Sequence, residues 1–505
     1  MPSSVALKES PISEQVSGRP ERHEHSELAD EVRSLQRALR AREALLEERE
    51  RKLVAANERL EAVLASRSWR LTRPLRTCIK LARRAAADVR RTPDPTRRLL
   101  VTMFDEDWYA RSYGRSGDGL LDEYLTTGWR QGRDPSPLFD GAWYATEFPE
   151  RLGETSPLED FVTHPYSRRP NRWFDPRIWR RLPDHEADVA TFLGGLHVEE
   201  RDPARDAVLR SRAGVVPLED GCAACVYVHH DADEAFDPHV ASTVAGLTRA
   251  GLRVVVCSTS NVSDEACDPL LRDASSVLSV PNTGHDWGAY HAGLGFVLDR
   301  CSPRSIVLMN DSVYVITDRL EAFLERVAQS PFDVVGATDS LMFRYHLQSY
   351  FVHLGRIALE SPLLPEFLST YVGVSDKHYV VNSYEIGFSQ RALEHGLSVR
   401  AAYPLEELIT STSGLTSSYG VALAPNPTLE LWEELLERGS PFVKAQLLRE
   451  MKPDPWRVRQ LVPSATLTLA ADHLARTSGR ELPVWAHMSE ARSTRAAEQQ
   501  RAQHT

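Results

Sequence analysis

The sequence predicts an α/β protein whose mostly parallel sheet has helices on both faces and follows a coiled coil and a small all-α repeat module. Three observations predict this order. Apolar residues recur every seven positions near the N-terminus, an aromatic motif recurs three times at one fixed spacing, and strand-like and helix-like segments alternate after residue 220.

Composition limits the class of protein before any motif does. The chain has 505 residues, of which 42% are hydrophobic and 26% charged, so we expect more than one domain. The formal net charge of −11 argues against general nucleic-acid binding. No apolar segment is long enough for a membrane span, and the first residues lack the apolar core of a signal peptide, which together predict a cytoplasmic protein.

The N-terminal segment predicts a coiled coil after a polar start. Residues 1–25 lack periodicity, and we expect them to be disordered. Over 26–65 apolar residues recur every seven positions among Glu and Arg, which is typical of a coiled coil that joins copies of a chain. The companion positions include Arg42 and Arg49, so a single solvated helix with charge pairs remains the alternative.

Residues 66–99 form a basic linker in which Arg and Lys dominate and acids are scarce. Trp69, Leu71 and Leu75 add apolar side chains, a pattern that favours an amphipathic segment on an anionic leaflet. A plain linker or an inter-subunit contact is the alternative. The stretch SRSWRLTRPLR resembles a segment that often follows a coiled coil in bacterial cell-surface polysaccharide enzymes. We therefore expect a protein peripheral to the inner face of the cell membrane.

An internal repeat occupies residues 100–200. FDEDWY begins at Phe104, FDGAWY at Phe139 and FDPRIW at Phe174, so both spacings are 35 residues. This register predicts stacked units of short helices with aromatic side chains between them. The aromatic residues are expected to form a core, and binding of an acceptor glycan is the alternative.

After residue 220 the chain predicts strands that end in polar residues. CVYVHHDADE and SIVLMNDS each read as a buried strand followed by polar side chains. Because ligands bind at the carboxyl ends of parallel strands, His230, Asp231, Asp311 and Ser312 are candidate site residues. The alternative for Asn-Asp-Ser is a simple turn.

Cysteine spacing offers a second kind of site. Cys222 and Cys225 have the spacing of half a zinc site or of a redox pair, with Cys257 and Cys267 as further thiolates. Cys225 and Cys257 lie in strand-like runs, where cysteine packs as a small apolar residue. The sequence therefore favours a structural role for them.

The order of motifs over residues 220–455 resembles the nucleotide-sugar-binding half of glycosyltransferases with the GT-A fold. More closely it resembles the rhamnan synthesis F family of bacterial polysaccharide glycosyltransferases, through GHDWGAYHAGL, LMNDSVY, VVGATDS, YHLQSYF, VNSYEIGFSQRALEHG and NPTLELWEELLERGSPFVKAQLLRE. The resemblance implies inverting transfer of a deoxyhexose, L-rhamnose from dTDP-rhamnose, to a growing or lipid-linked surface polysaccharide. Residues 456–487 read as a helical extension and 488–505 as a disordered tail.

The resemblance also implies where the donor binds. Donor contacts are expected at His230, Asp231, Asn282, Gly284, Asp286, Asp311 and Ser312. Enzymes of this fold hold a divalent ion on an Asp-x-Asp-like motif, where it neutralises the diphosphate leaving group. Here Asp311 is a single acid, so it is the expected ligand of Mg²⁺ or Mn²⁺. Asp286 as a helix N-cap and His230 as an ordinary strand-end residue are the alternatives.

The acceptor side is expected around Glu385. The resemblance places a general base there, which removes the acceptor proton in an inverting displacement. A structural Glu385 bound to Arg391 is the alternative. His346 and Gln348 are expected to form a sugar-facing wall or to be satisfied buried polar groups. Asp286, Asp339 and His346 are the other candidates for the base.

Two other functions remain open at this point. One is a non-catalytic scaffold of a polysaccharide assembly complex, because the metal motif has one acid. The other is a sugar nucleotidyltransferase, against which HHDADE after the first strand is acidic rather than a basic, glycine-rich phosphate loop.

Overall fold

A computed structural model describes residues 95–149, 155–179, 188–198, 207–411, 425–451 and 453–478. The expected coiled coil, both expected disordered ends and nearly all of the basic linker lie outside these ranges.

Short helices make up the described chain before the sheet. They are α1 Pro95–Met103, α2 Glu106–Tyr113, α3 Leu120–Glu123, a π-helical turn Tyr124–Gly128, a 3-10 turn Trp129–Gln131, α4 Gly141–Glu147, α5 Pro157–Thr163, α6 Pro176–Trp179 and α7 Val189–Gly194. The phenylalanine that opens each repeat of the FD motif is buried. These rings therefore pack as core residues.

The aspartate of the repeated motif begins a helix in the first two repeats. Asp105 accepts a hydrogen bond from the Trp108 N–H at 2.9 Å, and Asp140 accepts one from the Trp143 N–H at 2.8 Å. Such bonds satisfy N–H groups that have no partner within the helix. The 35-residue spacing of the motif is thus the spacing of two equivalent helix starts.

The third repeat contacts the sheet region instead. The Asp175 carboxylate forms an ion pair with Arg344 at 2.8 Å, and the Trp173 indole donates to Thr370 Oγ1 at 2.8 Å. The buried Asn382 amide donates to the Asp175 carbonyl at 3.0 Å and accepts the Asp175 N–H at 2.9 Å. These polar contacts join the last repeat to the sheet.

The central sheet is mixed and mostly parallel, as predicted. Its strands are β1 Arg210–Ala213, β2 Ala223–His229, β3 Leu252–Ser258, β4 Ser276–Ser279, β5 Ser305–Asn310, β7 Val334–Ser340, β8 His346–Leu347, β9 Phe351–Leu354 and β10 Val399–Tyr403, while β6 Val313–Val315 pairs outside it with β11 Phe442–Lys444. The order is β1-β4-β3-β2-β5-β9-β7-β10, with β8 beside β7. Strands β1, β8 and β9 run antiparallel to their neighbours.

Helices flank the sheet and follow it. They are α8 Pro238–Arg249, α9 Asp264–Cys267, α10 His285–Leu298, α11 Thr317–Ala328, α12 Arg356–Glu360, α13 Leu363–Thr370, α14 Lys377–Val380, a π-helical turn Val381–Ile386, α15 Gly387–Glu394, α16 Leu405–Ser411, α17 Pro427–Glu430, α18 Trp432–Glu437, a π-helical turn Leu447–Met451, α19 Pro455–Leu461 and α20 Ser464–Ser478. Within the described ranges, no helix is both long and apolar enough to span a membrane.

Both faces of the sheet are covered. Alternate residues of β2 enter different apolar cores: Val226 and Val228 pack with residues of α10, whereas Cys225 and Tyr227 pack with residues of α8 and α11. Every residue of β2 is buried, which explains why this strand reads as a continuous apolar run rather than an alternating one.

Helix α10 approaches the sheet most closely at Gly293. A Cβ there would lie 2.3 Å from Val226 Cγ1 and 2.7 Å from the Cys257 sulfur, so only glycine fits. Burial raises the pKa of the Cys225 and Cys257 thiols well above the usual value. These two cysteines therefore act as small apolar side chains, as the sequence favoured.

The ribbon of β6 and β11 connects the sheet to the C-terminal helices. Its strands are antiparallel, and Lys444 lies opposite Val313. A third apolar core joins Tyr314 of the ribbon to Val458 of α19 and Leu474 of α20. Because β6 follows β5 directly, the ribbon brings Lys444 beside the carboxyl end of β5.

Candidate active site

Asp311 lies just beyond β5 and is fixed by the neighbouring strand. Its N–H donates to the Val228 carbonyl at 3.1 Å, and its carboxylate accepts the His230 N–H at 2.8 Å. Strands β2 and β5 are parallel neighbours, so their carboxyl ends meet at one edge of the sheet. The structure thus brings together the two segments whose polar residues the sequence singled out.

Asp286 reaches the same edge from the first turn of α10. The N-cap of that helix is Gly284, with φ 78°, and it makes no side-chain capping bond. A Cβ at Gly284 would lie 1.9 Å from the Tyr371 hydroxyl, so the turn requires glycine. The Asp286 carboxylate accepts a hydrogen bond from Asn310 Nδ2 at 2.6 Å. Asp286 is therefore linked to the end of β5 and is not the helix cap.

Lys444 is the site residue that sequence reasoning missed. Its ammonium donates to Ser312 Oγ at 2.8 Å and lies 5.4 Å from the centre of the Tyr350 ring. Composition held a signal, because lysine accounts for only six of the 60 basic residues and one of the six falls in a family motif. Lysine has a compact, strongly hydrated charge and suits phosphate binding.

The charges around Lys444 are mainly negative. Burial raises the pKa of Asp311 to about 7, and the Asp286 charge adds to the rise. Burial also raises the pKa of Asp286, where Lys444 opposes the rise and Glu385 adds to it. Burial lowers the pKa of Lys444, and the three carboxylates oppose that fall. One ammonium thus lies among three acids, an arrangement typical of functional sites.

Glu385 approaches this group from the acceptor-side motif. It lies in the π-helical turn Val381–Ile386, and Ser349 Oγ donates to its carboxylate at 3.2 Å. Arg391, the partner expected for a structural role, binds Glu366 at 2.7 Å instead. Turns of this kind occur often at functional sites. Glu385 remains a half-buried acid in electrostatic contact with Asp286 and Lys444.

The two expected sugar-wall residues have structural partners. His346 is buried, and its Nδ1 contacts the Arg344 carbonyl at 2.9 Å. Gln348 accepts a hydrogen bond from Thr338 Oγ1 at 2.7 Å and donates to Asn426 Oδ1 at 3.3 Å. These contacts match the alternative of satisfied polar groups.

Three other candidates are either exposed or bonded within the chain. Asn282 is exposed. His230 is also exposed, and its Nδ1 contacts Thr259 Oγ1 at 2.9 Å. Asp339 accepts the Leu405 N–H at 2.7 Å, and burial raises its pKa to about 6.

Asp231 is paired within the chain. Arg476 of α20 binds its carboxylate and also contacts Asp233 at 2.6 Å and Asp237. Burial alone would raise the pKa of Asp231, but hydrogen bonds from Arg476 and the Asp233 N–H bring it below the usual value. The charge of Asp231 is neutralised by Arg476, which disfavours the expected donor contact.

Comparisons with known proteins agree with the motifs. The family model described as Rhamnan synthesis protein F matches residues 254–494. The match begins within β3 and continues beyond α20, so it includes Asp286, Asp311, Glu385 and Lys444. The resemblance predicted from the sequence spanned residues 220–455.

Curated relatives match part of the chain. "Uncharacterized protein y4gN" of Sinorhizobium fredii (strain NBRC 101917 / NGR234) is 25% identical over 168 residues, which cover 32% of this chain and 44% of that protein. "Virulence protein VirA" of Vibrio anguillarum (strain ATCC 68554 / 775) is 28% identical over 196 residues, which cover 34% of this chain and 60% of that protein. The chain thus spans about half the length of these relatives.

Among solved structures, the glycosyltransferase GlyE of Streptococcus pneumoniae TIGR4 aligns with a TM-score of 0.28 and 10% identity, covering 51% of this chain and 64% of that one. A score this low defines no fold, and the fold described above rests on the strand order itself. Residues 254–494 of the chain are thus similar to the rhamnan synthesis F family, and this similarity supports a glycosyltransferase, as the motifs predicted.

Proposed function

We propose that the protein transfers a sugar from a nucleotide-sugar donor to a glycan acceptor at the carboxyl edge of the parallel strands. The observation that carries the proposal is that Lys444, bonded to Ser312, and Asp286, bonded to Asn310, flank Asp311 at the end of β5, with Glu385 close enough to act on both charges. The group combines a cation suited to a phosphate with an acid suited to proton transfer. Both are needed in sugar transfer.

Lys444 and Asp311 form the donor side of this proposal. A nucleoside diphosphate leaving group develops negative charge, and the Lys444 ammonium offsets part of it in a site that excludes much of the water. Ser312 accepts the Lys444 N–H at 2.8 Å and so orients the ammonium. Asp286 is oriented in turn by Asn310, at 2.6 Å. A carboxylate held this way can accept hydrogen bonds from sugar hydroxyls.

A divalent ion at Asp311 fits the residues around it. Burial and the Asp286 charge raise the pKa of Asp311 to about 7. The Asp311 carboxylate is therefore close to other negative charges, which a bound cation would offset. Mg²⁺ sites commonly use one or two carboxylates together with substrate phosphates. A bound Mg²⁺ or Mn²⁺ would neutralise charge on the donor diphosphate.

Glu385 is the proposed base. Its carboxylate is half-buried, bonds to Ser349 and has no ion pair with Arg391. An acid without a fixed cation is available to take the acceptor proton, and attack from the face opposite the leaving group would invert the sugar. Asp286 is less suited because it already accepts the Asn310 amide.

The finer identity of the substrates rests on the family resemblance. We propose a deoxyhexose donor, dTDP-L-rhamnose, and a growing or lipid-linked surface polysaccharide as acceptor. Location at the inner face of the cell membrane and self-association through residues 26–65 are parts of the same proposal. The Vibrio anguillarum relative carries the word virulence in its name, which is compatible with a cell-surface product.

The test is release of nucleoside diphosphate from a panel of nucleotide sugars, with and without acceptor glycan. We expect turnover with one donor, and Glu385→Gln should reduce acceptor glycosylation about a hundredfold while donor binding survives, because the amide cannot take a proton. Glu360→Gln is the matched control, since Glu360 lies in an exposed pair with Arg356.

Other outcomes identify the competing functions. Release of pyrophosphate from a nucleoside triphosphate and a sugar phosphate would indicate a nucleotidyltransferase. No turnover with any donor, from protein with a normal melting curve, would indicate the scaffold. Near-normal glycosylation by a well-folded Glu385→Gln variant would move the base elsewhere.

A further inference from the structure

We propose that Asp237, His239 and His473 bind a divalent transition-metal ion of the zinc class, separate from the ion expected at Asp311. Each of the three offers one ligand atom, and these atoms lie within 4.8 Å of one another. Asp237 and His239 belong to the start of α8, whereas His473 lies on α20. The ion would tie the C-terminal helix to the sheet domain.

His239 is the residue that most needs a ligand. It is only 5% exposed, and neither ring nitrogen has a hydrogen-bond partner. A buried polar group without a partner is costly, and native proteins rarely leave one. Neutral imidazole is the commonest metal ligand in proteins, because a ring nitrogen can donate its lone pair to the ion.

His473 is oriented as a metal ligand. Its Nδ1 lies 2.7 Å from the Tyr314 hydroxyl, and its Nε2 lies 3.7 Å from Asp237 Oδ2. Histidine ligands usually bond through the second nitrogen to an oxygen that fixes the ring and its tautomer. The His239 and His473 rings lie 4.5 Å apart between centres. Tyr314 therefore has the position of the orienting partner.

The local charge calls for a divalent cation. Asp231, Asp233 and Asp237 bring three negative charges, and Arg476 pairs with all three of them. Acids therefore outnumber the arginines near the cluster even when Arg449, which acts on His473, is included. Asp237 occupies the N-cap position of α8 but makes no capping bond there, so its carboxylate keeps lone pairs for a ligand beside Arg476.

The chemical types of the three proposed ligands indicate which metal ion the site would prefer. Two imidazoles and one carboxylate suit zinc and its neighbours, whereas Mg²⁺ and Ca²⁺ prefer oxygen ligands throughout. Three protein ligands leave a fourth tetrahedral position for water. The cysteine pair considered from the sequence takes no part, because Cys225 is buried in β2.

The test is titration of the chelator-treated full-length protein with Zn²⁺ by isothermal calorimetry, together with melting curves. We expect one site per chain and a higher Tm with Zn²⁺, because an ion that binds the folded state stabilises it. His239→Ala and His473→Ala should weaken binding at least about a hundredfold and abolish the Tm shift, and Tyr314→Phe should weaken binding about 10–100-fold. His353→Gln is the control, a buried histidine outside the cluster.

Two results would overturn the proposal. One is the absence of stoichiometric Zn²⁺ binding by the wild-type protein. The other is equal binding by a well-folded His473→Ala variant, which would assign the ion to other histidines. His473 lies on the last described helix, so this variant keeps the test decisive even if His239→Ala fails to fold.

Discussion

Two acidic groups lie beyond the carboxyl ends of neighbouring strands, and their charges are balanced in different ways. In the first, Arg476 pairs with Asp231 and its neighbours, and the pKa of Asp231 is lowered despite burial. In the second, Lys444 is the main positive charge near Asp286, and the pKa values of Asp286 and Asp311 are both raised. The difference separates acids whose charge is largely balanced by an arginine of the chain from acids held mainly among like charges.

The two acidic groups also differ in their expected effect on the stability of the fold. An acid whose charge is paired contributes to folding, whereas an acid held among like charges costs stability and persists only if a ligand or the reaction needs it. Substitutions in the Asp311 group should therefore change turnover most, and those in the Asp231 group should change stability most.

The largest expected effect is that of Lys444→Gln. Removing the ammonium that donates to Ser312 should lower donor turnover about 10²–10³-fold, because one fixed donor to the developing charge is lost. The melting curve should stay close to that of the wild type. Turnover with the expected donor is the measurement.

Lys377→Gln is the control for that variant. Lys377 is exposed, and its charge has a smaller influence on the pKa of Lys444 than burial or the three carboxylates, so a change of a few-fold at most is expected. Equal losses in the two variants would contradict a specific role for Lys444.

Arg476→Ala should have the second-largest effect, on stability. The buried acids Asp231 and Asp237 would lose their cation, at an expected cost of about 2 kcal/mol, below the value for a fully buried pair because the Arg476 side chain is 30% exposed. Denaturant unfolding at pH 7 measures this. Arg356→Ala, at an exposed pair, is the control and should cost almost nothing.

The pH dependence of the stability loss in Arg476→Ala tests whether that loss is electrostatic. The pKa of Asp231 is depressed in the folded state, so the stability from its charge is present above the unfolded pKa near 4 and is lost as pH falls through the lower folded value. The gap between wild type and Arg476→Ala should narrow below about pH 4. A gap that stays constant there would exclude an electrostatic origin.

Asp311→Asn should have the smallest effect on stability, and of opposite sign. The folded pKa of Asp311 is raised from 3.8 to about 7, so the wild type loses stability as pH rises through that window. At pH 8 the variant should be more stable by about 1–2 kcal/mol, less than a fully buried charge would give because Asp311 is a half-buried residue. The gain should shrink at pH 5, and turnover should fall.

Melting curves at pH 5 and pH 8 without ligand measure the Asp311→Asn effect. Asp105→Asn is the control, because Asp105 caps a helix in the repeats and asparagine caps as well as aspartate. A less stable Asp311→Asn variant at pH 8 would mean that this acid is paired after all, and the contrast between the two groups would fail.

Local pattern was enough to predict the sheet and half of the site. A strand buried on both faces reads as a continuous apolar run, and its carboxyl end is marked by the first polar residues, which identified His230 and Asp311. Lys444 reaches the site because β11 pairs with β6. These strands are far apart in the sequence, so their pairing cannot be read from any local sequence pattern. For the same reason the meeting of His239 with His473 was not predicted.

Other differences arise from local geometry that periodicity does not encode. A pair of Glu385 and Arg391, the alternative to a catalytic Glu385, is typical of a regular α-helix, but Glu385 lies in a π-helical turn and Arg391 binds Glu366. Asp286 was a reasonable helix cap by residue type, but the cap position falls on Gly284. For Gln348 the sequence leaves a sugar-facing wall and a satisfied polar group open, and its bonds with Thr338 and Asn426 match the second.

The contacts between the third repeat and the sheet region determine which fragments of this chain should fold. A fragment that begins at residue 207 would remove Trp173 and Asp175, leaving Thr370 without the indole N–H and the buried Asn382 amide without its two backbone bonds. Uncovered apolar surface and an unsatisfied buried amide favour aggregation over recovery of soluble material. Recombinant fragments of the sheet should therefore keep the repeats from Pro95 onward, and grafting the sheet onto a foreign helical module would require the third repeat to travel with it.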